Sequence, residues 1–151
     1  MKKWTWMLLA LALATLLPTS GTELGSLHPV SVLLVGTEGK SLRLQTDTQD
    51  AGTGETLDAA LRNLEATTAG HLFLDTVEQL VLTEQTRYLL PQLKALLRPG
   101  VRVCITEDPV DPETLPDFLK IHTPEAKLKD VTKTTPLQKL SCEEGRYFLE
   151  S

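Results

Sequence analysis

The chain has 151 residues, 41% of them apolar and 23% charged, which is enough for one domain with a real but modest core. Its formal charge is −5 at pH 7. That acidity argues against nucleic acid or an anionic membrane surface as a partner, because both repel it. Only 5% of the residues are aromatic, so the core is expected to be built from Leu, Val and Ala.

The N-terminus reads as an export signal. Lys2 and Lys3 form a positive start, Met7 to Leu17 is an uncharged apolar run, and Pro18 closes it. Thr19, Ser20 and Gly21 are small residues suited to a signal-peptidase site. The run is shorter than the roughly 20 residues of a membrane-spanning helix, so an uncleaved anchor is the second reading. No Cys stands at the cleavage point, so a lipoprotein signal is not expected. Loss of residues 1–21 removes two lysines and no acid, and the charge goes from −5 to −7.

Residues 22–29 follow as a polar leader ending at Pro29. Val30 to Gly36 is a β-rich apolar run, and Lys40 to Thr46 alternates Leu42 and Leu44 against Ser41, Arg43 and Gln45. That period of two predicts a half-exposed strand. Thr37-Glu38-Gly39 between the two runs predicts a hairpin turn. Thr46 to Gly54 reads as a loop.

A helix is expected next, with Thr53 as N-cap and Glu55 in its first turn. Leu57, Ala60, Leu61 and Leu64 form one apolar stripe. Thr67, Thr68 and Gly70 end it. Leu72–Leu74 and Val77–Leu82 are extended. Thr83 caps a second helix to about Leu97, which Pro91 kinks or divides. Val101 to Thr106 is a further strand. Asp111 and Pro112 can open a short helix through Leu115, Phe118 and Leu119. Residues 123–139 are polar, and Arg146 to Leu149 are suited to a last strand.

Strands alternating with helices predict an α/β (α+β) fold. The expected sheet is mixed, with about four or five strands, two main helices and a β-hairpin at its start. The domain core is placed at 30–122, and 123–151 is a polar C-terminal segment.

No chemistry-bearing constellation emerges. His28, His71 and His122 lack partners at metal-ligand spacing. Gly52-Thr53-Gly54 precedes a helix, but no Lys-Ser/Thr pair follows, and Glu55 puts negative charge where a phosphate would sit. Ser141 has no nucleophile-elbow sequence around it. Glu107, Asp108, Asp111 and Glu113 lack calcium-loop spacing, and prolines interrupt them. Cys104 and Cys142 can pair as a disulfide in an exported chain, or remain as two buried thiols. No catalytic, cofactor-binding or metal-binding residue is assigned, and no cofactor is expected.

The order of apolar, glycine and acidic positions resembles the N-terminal domain of the Ger(x)C family, the C subunits of spore germination receptors. The matching positions are Leu34-Val35-Gly36, Leu42 to Gln45, and Gly54, Thr56, Leu57, Ala60, Leu61 and Leu64. They continue through Leu72-Phe73-Leu74, Gln79 to Glu84, Leu97-Arg98 and Val101 to Thr106. Asp75-Thr76 stand where that family has Gly-His. The lipobox Cys is missing, and family members carry further domains.

The resemblance implies a non-catalytic protein-interaction domain that assembles with membrane-embedded receptor subunits in sporulation or germination. It would act outside the cytoplasm, at the outer face of the inner spore membrane, with no direct lipid anchor. A small secreted hydrolase, with Ser141 or Glu107 brought beside His122, is one alternative. A cell-surface ligand-binding protein is another.

Overall fold

The computed structural model describes residues 27–107 and 110–151, so the segment expected to be an export signal lies outside the described residues. The strands are β1 (Leu27–Pro29), β2 (Val32–Glu38), β3 (Ser41–Thr46), β4 (Ala51–Gly54) and β5 (His71–Phe73). They continue with β6 (Gln79–Thr83), β7 (Arg102–Thr106), β8 (Lys139–Glu143) and β9 (Arg146–Glu150). The α-helices are α1 (Leu57–Thr67), α2 (Leu90–Leu96) and α3 (Leu115–Ile121).

Seven strands form one sheet in the order β4-β3-β2-β6-β7-β8-β9. Its centre, β2-β6-β7-β8, is parallel, and antiparallel pairs flank it on both sides. The expected mixed α/β class holds, with more strands than the four or five expected. β1 and β5 pair in parallel as a separate two-stranded sheet. Residues 27–29, read as part of a polar leader, are therefore a strand.

The first hairpin is present, but its turn lies further on. β2 runs through Thr37 and Glu38, and Glu38 pairs with Ser41 across Gly39-Lys40. Gly39 has φ 62°, the positive value a type II′ turn needs at its first central position. β8 and β9 form a second hairpin across Glu144 and Gly145, whose φ values of 49° and 76° suit a type I′ turn.

The segment expected as a loop to Gly54 ends in β4, an edge strand made of Ala-Gly-Thr-Gly. Its glycines let α1 lie directly on it. A Cβ on Gly52 would come within 2.3 Å of the Leu64 nitrogen, and one on Gly54 within 2.4 Å of the Ala60 nitrogen. Low strand propensity is offset here by backbone-to-backbone packing that only glycine allows. The helix begins later than expected: Thr56, not Thr53, is the N-cap, and its Oγ1 accepts from the Ala59 N–H at 3.2 Å.

After β6, Thr83 and Thr86 form a capping box that opens a 3-10 segment, Glu84–Leu89. Pro91 then stands in the first turn of α2, so the expected second helix is split in two. α3 starts at Leu115 with Thr114 as its N-cap residue. Asp111, expected as that cap, holds the turn before it instead, accepting from the Glu113 N–H at 3.0 Å.

Two cores sandwich the sheet. On one face α1 and α2 bring Leu57, Ala60, Leu64, Leu90 and Leu93 against Leu33, Val35, Leu44, Leu80, Leu82 and Val103. On the other, Leu115 and Leu119 of α3 pack on Val32, Val81, Cys104 and Leu140. Adjacent β-residues alternate between the two cores, as strands covered on both faces must. The 123–139 segment is not merely polar: Leu128 and Val131 are buried in the larger core. It passes antiparallel beside the start of β7, with the Val103 N–H bonded to the Ala126 carbonyl at 2.9 Å.

Candidate functional site

Three strands of the parallel centre end alike. β2 closes on Thr37-Glu38, β6 runs into Thr83-Glu84, and β7 into Thr106-Glu107. Thr83 pairs directly with Thr106, and Val35 pairs with Leu82, which places Thr37 one residue beyond their level. Parallel packing thus gathers hydroxyls and carboxylates at the carboxyl end of the sheet. That edge is where open α/β sheets form their binding crevices.

A groove of ≈ 610 Å³ lies there. Leu34, Val81 and Val110 supply apolar wall, and Thr37, Arg43, Gln45, Thr83, Glu84, Gln85, Thr106 and Glu107 supply polar groups. The connection after β6 leads to α2 on one face and the connection after β7 leads to α3 on the other, so the chain parts at this point.

The polar groups are held in place. Thr37 Oγ1 donates to Gln85 Oε1 at 2.8 Å, and Arg43 pairs with Glu38 at 2.9 Å. Arg87 reaches Glu84 at 3.1 Å, and Lys139 reaches Glu107 at 2.8 Å. Behind them Thr86, fully buried, donates to the Val35 carbonyl at 2.9 Å and accepts from the Thr83 N–H at 3.1 Å. It ties the end of β2 to the end of β6. The Arg43–Glu38 and Lys139–Glu107 pairs are exposed, where such contacts are worth at most about 1 kcal/mol and exchange readily for a partner's groups.

Of the candidate site residues of the sequence, Glu107 lines the groove, Asp108 lies outside the described residues, and the others lie elsewhere. Cys104 is buried on β7 and Cys142 sits on β8; both are thiols. From the Thr106–Leu140 pairing, Cys104 is two residues back and Cys142 two residues on. At about 3.3 Å per residue they stand about 13 Å apart along the strands, too far for a disulfide. Burial pushes the Cys104 thiol from 9.0 up to about 12. That is the opposite of an activated nucleophile.

His122 follows α3 and stacks on Phe118, with ring centroids 4.7 Å apart. Its neighbour Thr123 borders a recess that also holds Arg102, at the start of β7. Glu107 follows the other end of that strand, so the two are not brought together. Ser141 lies on β8, paired with Phe148. His71 is exposed at the start of β5, and the side chain of His28 lies outside the described residues. Gly52 and Gly54 are the packing surface for α1. Among the described residues, no group of three or more His, Cys, Asp or Glu could hold a metal ion.

In the sequence the groove threonines carry no binding signal, because Thr37 and Thr106 are ordinary strand-end residues and Thr83 reads as a helix cap. The signal that could have found them is the recurrence of an apolar run closed by Thr-Glu, three times in the chain. No family model, no curated protein and no solved structure matches the chain.

Proposed function

We propose that this chain is an exported, non-catalytic domain that works by protein contact through the groove at the carboxyl ends of β2, β6 and β7. The observation that carries the reading is the chemistry of that groove. Its lining combines apolar wall, threonine hydroxyls, side-chain amides, Arg43 and rim carboxylates, with neither His nor Cys among the described lining residues. Such a surface suits recognition through many weak polar contacts around an apolar centre. Glu84 and Glu107 at the rim favour a partner segment that carries Lys or Arg beside an apolar side chain.

The resemblance to the first domain of germination receptor C subunits names the class of partner, a membrane-embedded receptor subunit, and the setting, sporulation or germination. Membrane association then runs through the partner, not through a lipid on this chain. The export signal supports the compartment.

Two measurements test this. A photo-crosslinking side chain placed at Gln85, in the cell that makes the protein, is expected to capture a membrane-embedded subunit. The same probe at Arg62, on the helix away from the groove, is expected to capture none. Deletion of the gene is expected to impair sporulation or the response to germinant; a normal response of both would remove the germination role. Equal capture at both positions would remove the groove.

A further inference from the structure

A second recess lies at the opposite end of the sheet, under the C-terminal end of α3. It has a volume of ≈ 310 Å³, and its lining includes Glu78, Gln79, Arg98, Arg102, Lys120 and Thr123. Three cations against one acid make a positive spot on a chain of charge −5.

The two guanidiniums are oriented but not neutralised. Arg98 Nη1 donates to the Asp75 carbonyl at 2.9 Å, and Arg102 Nη1 donates to the Glu125 carbonyl at 2.7 Å. Among the described residues neither has a carboxylate within salt-bridge distance. Lys120 makes only a 3.8 Å contact with Asp117, between two exposed side chains. Backbone carbonyls fix one edge of each guanidinium and leave the other donors for an oxyanion, which a guanidinium binds in a forked geometry.

An independent observation points to the same place. Gln79 is only 7% exposed, and its Oε1 is buried with no hydrogen-bond partner. Gln79 pairs with Arg102 across β6 and β7, two residues before Val81 and therefore on the face that α3 covers. A buried amide oxygen left without a donor is costly, and native chains seldom keep one without use.

We infer that this recess binds a small hydroxylated oxyanion, such as a phosphate monoester or a hydroxy-carboxylate. Arg98, Arg102 and Lys120 hold the anionic group, and a ligand hydroxyl donates to Gln79 Oε1. The recess is distinct from the groove at the carboxyl ends, so failure of one reading leaves the other standing.

Calorimetric titration of the full chain with glycerol phosphate, lactate and inorganic phosphate tests it. Saturable binding is expected, with glycerol phosphate tighter than inorganic phosphate, and weakening as salt is raised. The R98Q/K120Q variant should lose roughly tenfold or more in affinity with an unchanged melting temperature. K120Q alone, on an exposed side chain, should lose a smaller factor and serves if the double variant misfolds. Gln79→Leu should keep phosphate binding and erase the preference for the hydroxylated ligand.

Absence of saturable binding to all three probes would overturn the proposal, and so would R98Q/K120Q binding as tightly as the parent. Binding to vesicles containing phosphatidylglycerol without any response to the soluble anions would overturn it too, because the site would then be a membrane contact.

Discussion

At the residue scale, identity matters most where the backbone of one element meets another. Gly52 and Gly54 face the backbone of α1, where an added Cβ would collide with main-chain atoms that cannot step aside. Gly52→Ala is expected to cost about 3 kcal/mol or more in urea unfolding. Gly100→Ala, with nothing within 4 Å of the added carbon, should stay within about 0.5 kcal/mol of the parent.

Cys104 makes a second prediction at this scale. Burial raises its thiol from 9.0 to about 12, so the folded protein keeps the proton that the unfolded chain releases. Stability is therefore full below about pH 9 and falls as pH rises from there toward 12. Urea midpoints at neutral and alkaline pH check the sign, and Cys104→Val should remove that share of the decline. Neither behaviour could be read from the sequence, because Gly-Thr-Gly and a strand cysteine look the same whether or not a helix covers them.

At the element scale, single hydroxyls join segments that are far apart in the chain. Thr76 Oγ1 accepts from the Val30 N–H at 2.9 Å and lies 3.0 Å from the Val30 carbonyl, fastening the entry into β2 beside β5. Thr76→Ala should cost about 1 kcal/mol and speed amide exchange at Val30, with Thr76→Ser restoring protection. Thr86 does the same between β2 and β6. Its replacement by Val leaves the Val35 carbonyl without that donor and should destabilise by about 1–3 kcal/mol, read by chemical denaturation.

Much of the element list was legible. The alternation in Lys40 to Thr46, the apolar runs of β6 and β7 and the stripe of α1 each carry their own period. Two of the short strands were not. β1 and β4 have three or four residues each, too few for a period, and the partner of β1 is β5, beyond the first hairpin and α1. β5 itself falls in the stretch expected as extended.

At the scale of the whole molecule, the segment after residue 122 completes both cores. Leu128 and Val131 enter the larger one and Leu140 the smaller, all at 1% exposure or less. Leu128→Ala should therefore cost about 2–5 kcal/mol, measurable by urea unfolding. A chain ending at His122 should lose the cooperative transition of the full chain. The polar look of 123–139 hid this, because two or three buried side chains in an irregular segment give no periodic signal.

What the sequence determined by itself was the mixed α/β class, the hairpin, the amphipathic helix and the acidic character, since all of these depend on neighbours within a few residues. Only the tertiary structure decided that three Thr-Glu pairs meet at one end of the sheet and three cations meet at the other. It also decided that Cys104 and Cys142 stand apart and that the paired glycines serve packing. Those outcomes depend on strand order and register, which arise from contacts between distant segments and leave no mark on any one stretch of chain.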